Sequence, residues 1–335
     1  MNVTVLGAGT WGTALAALLS DGHTVTLWSA LPDELTVIEN EHRHPHLPSE
    51  LPHTLRTERD MRAATLAADT VIIATPSAYV RATARAAAPY LPVGCTVASA
   101  AKGIEEGTHL TMTEIIEQEL RAVRGAEAEA IGVGALSGPT HAEEVARGVP
   151  TSMVAACADE AVARRLSSLF VGTCMRVYTN TDVRGVQIAG AVKNVIALAA
   201  GMHRGMGFGD NTLAMLLTRG IAEITRLGVA LGCRRDTFMG LSGIGDLIVT
   251  CTSHHSRNNR CGELIGRGMT YEAAAAEIGM VVEGYHALRP TLTLARACGV
   301  EMPITEAVAA VLSGKLTARE ATEQLMRRSF KTENE

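Results

Sequence analysis

The sequence predicts an α/β fold, a doubly wound and mostly parallel sheet followed by an all-helical segment, on three observations. The chain opens as strand, glycine turn, helix, strand. Short β-branched runs then alternate with alanine-rich helical segments, the pattern of a sheet covered by helices on both faces. Beyond about residue 182 the strand signal disappears, while apolar residues continue at helical spacing.

Taken in order, Asn2–Leu6 is a β-branched run, residues 7–12 a glycine turn, residues 13–20 a helix of small residues and residues 23–28 a second strand. Further strands are expected at 70–74, 96–99, 131–136 and 152–156, with helices such as 80–88 and 112–123 between several of them. In the second half, helices are expected at 187–200, 213–231, 257–267, 271–278, 285–298, 304–312 and 318–327. This divides the chain into a dinucleotide-binding domain, 1–184, and a helical substrate-binding domain, 185–335. No Ser/Pro-rich linker separates the two, so they are expected to pack tightly with a cleft between them. There is no internal repeat, and 331–335 reads as a frayed tail.

Composition narrows the function. Thirty Lys and Arg against thirty-five Asp and Glu leave a net charge of −5 over 335 residues, 47% of them hydrophobic. That is a globular, enzyme-sized chain with no basic block to drive counterion release, so nucleic acid is not an expected partner. Residues 1–6 lack a positively charged lead and run straight into glycines, which no secretory signal does; a cytoplasmic location is expected. The longest apolar stretch, 186–202, is interrupted by Gln187, Lys193 and Asn194, so no membrane span is expected. Seven cysteines, scattered and never in C-x-x-C spacing, argue for reduced thiols and against a disulfide framework or a zinc site.

Gly7-Ala8-Gly9-Thr10-Trp11-Gly12 is G-x-G-x-x-G after a strand and before a helix. In that context Gly7 permits the tight turn, Gly9 admits a pyrophosphate close to the backbone, and Gly12 allows helix and strand to pack. The helix N-terminus then faces the negative charge. This is a Rossmann-like dinucleotide site, for NAD or NADP. The ribose selector, an acid for NAD or a base for a 2′-phosphate, belongs near Ser29 or Ala30, where neither is found. Asp33 and Glu34 come a few residues late and read as exposed loop charges.

The chain has only four lysines, Lys102, Lys193, Lys315 and Lys331, beside twenty-six arginines. Arginine keeps its proton, whereas a desolvated lysine can give and take one near neutrality, so a lysine retained in apolar surroundings is a candidate acid–base group. Lys193 fits, with Ala189, Gly190, Ile196 and Ala197 at three and four residues along its helix and no intrahelical carboxylate. The alternative is a lysine reaching from a packed helix to water. Lys102 follows a strand directly, at a carboxyl edge where open α/β sheets bind ligands, or is an exposed loop lysine.

Three weaker features remain. The loop Ser137-Gly138-Pro139-Thr140 follows a strand and offers backbone N–H groups to an anion, or is a turn. Asp246 either orients a hydroxyl or caps the helix that begins there. Ser256-Arg257-Asn258 opens a helix, so the cap, the free N–H groups and the Arg257 guanidinium make a phosphate seat or only a solvated helix start.

Together these residues resemble the bacterial-type NAD(P)-dependent glycerol-3-phosphate dehydrogenase family. The resemblance runs through the 7–12 turn, His44-Pro45-His46-Leu47-Pro48, 99–105, 137–151, and Lys193-Asn194 with Gly201, Gly205, Gly209 and Asn211. It continues in Arg219-Gly220, 243–246, Ser256-Arg257-Asn258, Val282-Glu283-Gly284 and Glu301-Met302-Pro303-Ile304. It implies interconversion of sn-glycerol 3-phosphate and dihydroxyacetone phosphate for phospholipid synthesis, with Lys193 as proton acceptor and Asp246 positioning Lys193 or the substrate hydroxyl. By the same resemblance Lys102, Gly138, Thr140, Lys193, Asp246, Ser256, Arg257 and Asn258 contact substrate, while Thr10, Trp11, Lys102, Ala142, Arg257, Val282 and Glu283 border the cofactor beside Gly7, Gly9 and Gly12. The family commonly carries Arg where this chain has Ala30, which leaves the choice between NAD and NADP open. A homodimer is compatible with the sequence, and no metal is called for. Two other readings stand beside this one: a 3-hydroxyacid dehydrogenase, which needs a carboxylate clamp, and a dinucleotide sensor, which needs no lysine.

Overall fold

The computed structural model describes residues 1–329 and Thr332; the rest of the expected tail at 331–335 lies outside the described residues. In the first half, strands and helices alternate as β1 (Asn2–Leu6), α1 (Thr10–Leu19), β2 (Thr24–Trp28), α2 (Pro32–Glu41), β3 (Arg56–Glu58), α3 (Met61–Thr65), β4 (Thr70–Ile73) and α4 (Val80–Ala87). They continue as β5 (Thr96–Ser99), α5 (Met112–Arg124), β6 (Gly132–Ser137), α6 (Ala142–Ala146), β7 (Thr151–Ala156), α7 (Glu160–Ser168) and β8 (Met175–Asn180). The strands form one sheet in the order β3-β2-β1-β4-β5-β6-β7-β8, parallel except for the β6–β7 pair. Reversal of strand order between β1 and β4 makes the topological switch point at which such sheets bind dinucleotides.

Strand alternation sends side chains to two cores. Val5 and Ile72 pack with Leu15 and Leu19 of α1 on one face, while their neighbours Leu6 and Ile73 pack with Val80 of α4 and Ile115 of α5 on the other. The two strands not expected from sequence, β3 and β8, are the sheet's edges. Edge strands are short or polar because they must not recruit another chain, and Arg-Thr-Glu and Met-Arg-Val-Tyr-Thr-Asn give no buried run to read. Asp33 and Glu34, read as loop charges, lie instead in the first turn of α2. Pro32 at its start and two acids in that turn suit a helix N-terminus.

The second half is helical among the described residues: α8 (Val183–Gly205), α9 (Asp210–Ala230), α10 (Arg235–Phe238), α11 (Asp246–Thr252), α12 (Arg257–Gly266), α13 (Tyr271–Ile278), α14 (Glu283–Ala297), α15 (Pro303–Leu312) and α16 (Ala318–Met326). The compact units divide within α8: one comprises Met1–Gly190 with Asp236–Asp246, the other Ala191–Arg235 and the chain from Leu247 onward. Residues 236–246 are tied into the first unit by Thr237 Oγ1, which donates to Asp182 Oδ2 at 2.6 Å, and Ser242 Oγ, which donates to the Ser137 carbonyl at 3.3 Å. By length and composition α8 is apolar enough to cross a membrane, but nearly all of it is buried within the protein, as in a core helix.

In the second unit α8 and α12 meet backbone to backbone. A Cβ at Gly201 would lie 2.0 Å from the Asn259 carbonyl oxygen, and one at Gly262 would lie 2.1 Å from that of Leu198. Small residues four apart on each helix make this approach possible and fix where the start of α12 falls along α8.

Glu223 on α9 ties that helix to α15. Its carboxylate accepts from the Ile304 N–H at 2.6 Å and from the Thr305 N–H and hydroxyl at 3.3 and 3.2 Å, serving as the cap that Met302 cannot supply. Burial pushes the Glu223 carboxyl up to about 7, against the pull of those N–H groups and Arg226. The folded protein therefore holds this proton more tightly than the unfolded chain. Its contribution to stability is complete below the ordinary glutamate value and is lost as pH rises through about 7. Glu223→Gln keeps an acceptor for Ile304 and removes the charge. Between pH 5 and pH 8 the wild type should lose roughly 3 kcal/mol of stability relative to this variant, measured by denaturant unfolding at both pH values; a pH-independent difference would contradict the assignment.

Candidate active site

In the first unit the glycine turn joins β1 to α1. Gly7 has φ of +121°, and a Cβ there would lie 2.9 Å from the carbonyl carbon of Ala74. A Cβ at Gly12 would lie 1.9 Å from the Gly7 carbonyl oxygen. At Gly9 the same atom would meet nothing within 4 Å, so the backbone there is open to a ligand. The Gly7 N–H donates to the Trp28 carbonyl at 2.8 Å, and Thr13 Oγ1 donates to the Ala8 carbonyl at 3.0 Å, holding the turn from both sides.

Gly9 caps α1 without a side-chain hydrogen bond, and Thr10 Oγ1 is buried with no hydrogen-bond partner. Uncapped N–H groups, an orphaned hydroxyl and an open glycine face fit the pyrophosphate of a dinucleotide. Trp11 sits half-buried against the core on α1, and Ala142, buried at the start of α6, lies on the helix that packs against α1.

Lys102, Gly138, Thr140 and Asp246, from three separate stretches of sequence, come together in this same unit. Lys102 Nζ donates to Asp246 Oδ2 at 2.7 Å and to the Gly138 carbonyl at 2.9 Å; Thr140 Oγ1 donates to that carbonyl at 3.0 Å. Gly138 is required at its position: φ is +148°, and a Cβ would lie 2.9 Å from the Met153 Cα. The Asp246 side chain is 2% exposed and lies in the first turn of α11, so it is an ion-pair partner of Lys102 rather than only a helix cap.

The loop bearing Lys102 is anchored by Arg81. Its guanidinium donates to Glu105 Oε1 at 2.7 Å and to Glu119 Oε1 at 2.5 Å, while Arg85 Nε donates to Glu119 Oε2 at 2.6 Å. The Arg81 hydrogen bond holds Glu105 below the usual carboxylate range, and that of Arg85 does the same for Glu119.

The second unit holds Lys193, whose residue is 4% exposed, with Nζ donating to Thr250 Oγ1 at 2.5 Å. It is thus not a lysine reaching for water. Asn194 Oδ1 accepts from Asn258 Nδ2 at 3.1 Å, and Asn258 Oδ1 accepts from the Gly284 N–H at 2.8 Å. This chain of amides pins α8, α12 and the start of α14, where Val282 is the N-cap and Glu283 the first residue. Ser256 caps α12 by accepting from the Asn259 N–H at 3.2 Å. Arg257, exposed in the first turn of α12, has no hydrogen-bond or ion-pair partner among the described residues.

Thr250 was not legible as a site residue, although it stands four residues beyond Asp246 and hence on the same face of α11. Neither was the Arg81 anchor, since Glu105 and Glu119 lie 24 and 38 residues from it along the chain.

Residues 2–163 and 182–323 match the models for the N-terminus and the C-terminus of NAD-dependent glycerol-3-phosphate dehydrogenase. The chain belongs to that family. A relative in Lactobacillus delbrueckii subsp. bulgaricus, glycerol-3-phosphate dehydrogenase [NAD(P)+] 2, is 48% identical over 99% of this chain and 98% of its own length. The glycerol-3-phosphate dehydrogenase [NAD(P)+] of Enterococcus faecalis is 43% identical over 100% of this chain and 98% of its own. The crystal structure of glycerol-3-phosphate dehydrogenase from Coxiella burnetii superposes with a TM-score of 0.91 at 33% identity, covering 98% of this chain and 99% of that one. The chain is thus an NAD(P)-dependent dehydrogenase.

Proposed function

We propose that this dehydrogenase interconverts dihydroxyacetone phosphate and sn-glycerol 3-phosphate in the cytoplasm, with Lys193 as the proton donor and acceptor, supplying sn-glycerol 3-phosphate for phospholipid synthesis. The observation that carries the reading is Lys193 itself, a buried amine on a helix of small apolar residues, fixed by the Thr250 hydroxyl. Bound NAD(P)H supplies the hydride. In the reduction, Lys193 Nζ gives a proton to the carbonyl oxygen as charge develops on it; in the oxidation, the neutral amine takes the hydroxyl proton.

The other residues bind and orient. Asp246 holds the Lys102 ammonium at the Gly138 carbonyl, and with Thr140 these make the substrate-facing edge of the first unit. Ser256, Arg257 and Asn258 at the start of α12 receive the phosphate, whose remote binding energy locates the reacting carbon. Gly7, Gly9, Thr10, Trp11 and Gly12 hold the dinucleotide, bordered by Lys102, Ala142, Arg257, Val282 and Glu283. A net charge of −5 gives nucleic acid no part in this reading. A homodimer is the working assembly in this reading.

A 3-hydroxyacid dehydrogenase would bind a carboxylate where this reading places a phosphate. Following NADH and NADPH absorbance with dihydroxyacetone phosphate and with a 3-oxo acid such as acetoacetate separates them. The phosphate ester should be favoured by at least about a hundredfold in kcat/KM; comparable efficiency with the 3-oxo acid would reject the reading.

A further inference from the structure

The carboxyl end of β2 is where an adenosine ribose lies in a dinucleotide-binding sheet, and the residues at 29 and 30 are neither acidic nor basic. The chain supplies the missing charge from farther along. Beyond β2 the backbone turns into α2, with Leu31 N–H donating to Ser29 Oγ at 3.1 Å and Glu34 N–H to the Leu31 carbonyl at 3.2 Å. Ser29 Oγ in turn donates to Glu34 Oε2 at 2.6 Å. That bond fixes a carboxylate beside the residue that follows β2. It also lies next to the glycine turn, because the Gly7 N–H is bonded to the Trp28 carbonyl. The Glu34 side chain is only partly buried, and its second oxygen has no partner among the described residues.

The surrounding charges reinforce it. Arg59, which follows the neighbouring strand β3, is held by both oxygens of Glu39, each at 2.7 Å, and its backbone carbonyl accepts from Trp28 Nε1. Glu58 pairs in register with Trp28, and its Oε1 accepts from the N–H groups of Arg59 and Asp60. Asp33 adds a further exposed acid in the same turn of α2. The edge thus presents carboxylates, and the Arg59 guanidinium that follows β3 is already paired with Glu39.

We propose that Glu34 is the specificity-determining residue for the cofactor, accepting the ribose 2′-hydroxyl of NADH and repelling the 2′-phosphate of NADPH. A free carboxylate oxygen suits a hydroxyl donor, whereas a phosphate oxygen brings like charge to a site that already holds a carboxylate. The inference rests on the dinucleotide reading of the 7–12 turn, and the two fail differently. Failure to bind either dinucleotide would overturn both; equal binding of the two would overturn only this one.

The test is fluorescence titration of NADH and NADPH against wild type, Glu34→Gln and, as a control for charge alone, Asp33→Asn. Glu34→Gln keeps an acceptor for Ser29 and for a hydroxyl while removing the charge. Wild type should bind NADH at least about tenfold more tightly than NADPH. Glu34→Gln should move the ratio of dissociation constants toward NADPH by about tenfold, chiefly through tighter NADPH, and Asp33→Asn should leave it nearly unchanged. A wild type that prefers NADPH, an unchanged ratio in Glu34→Gln, or an equal shift in Asp33→Asn would overturn the proposal.

Discussion

Lys193→Arg should lower turnover at least about a hundredfold while leaving cofactor affinity nearly intact. The substitution keeps a positive charge and similar length but replaces an amine that can lose its proton with a guanidinium that does not. It also exchanges a compact ammonium for a planar fork in a position 4% exposed, where Thr250 Oγ1 meets Nζ at 2.5 Å. The glycine turn shares no residue with Lys193 and lies in the other compact unit, so the dissociation constant of NADH or NADPH should change little. Lys315, outside every motif and exposed beyond α15, provides the control: Lys315→Arg should be nearly silent. Normal turnover in Lys193→Arg would remove Lys193 as the proton-transfer group.

The second large effect is expected at Arg257. An exposed guanidinium with no partner among the described residues, at the start of a helix whose cap is already satisfied by Ser256, is poised for a phosphate that it can clamp through paired charge-assisted bonds. Arg257→Ala should raise KM for dihydroxyacetone phosphate by about ten- to a hundredfold, with a smaller effect on kcat. Because Arg257 makes no structural bond among the described residues, thermal stability should hardly change. Unphosphorylated dihydroxyacetone should be a poor substrate for both proteins. Equal efficiency with and without the phosphate would contradict the clamp.

These expectations show what spacing along a chain can convey. The glycine turn was legible because all three glycines answer local demands: a positive φ at Gly7, an open face at Gly9 and a backbone contact at Gly12. Lys193 stood out because a chain that otherwise prefers arginine retained an amine among small apolar neighbours. The Lys102–Asp246 pair was not legible, since 144 residues separate its members and only the return of 236–246 to the first unit joins them.

Glu34 escaped for the opposite reason. It lies close in sequence to the expected selector position, yet outside it by simple counting, and only the turn through Leu31 into α2 carries it back to Ser29. The edge strands β3 and β8 were lost because polar edges suppress the apolar runs by which buried strands are recognised. Glu34 apart, which a local turn carries back, the missing information was tertiary: a long-range pairing or a sheet edge that local periodicity does not encode.

The central claim, that an amine at position 193 transfers the proton, is tested most directly by chemical rescue of Lys193→Ala. Oxidation of sn-glycerol 3-phosphate is followed at saturating cofactor while methylamine, ethylamine or tetramethylammonium is added. The account predicts that turnover, abolished in the variant, returns in proportion to the concentration of the neutral primary amine and not with tetramethylammonium, which carries charge but cannot accept a proton. Wild-type turnover in Lys193→Ala without added amine, or equal rescue by tetramethylammonium, would contradict it.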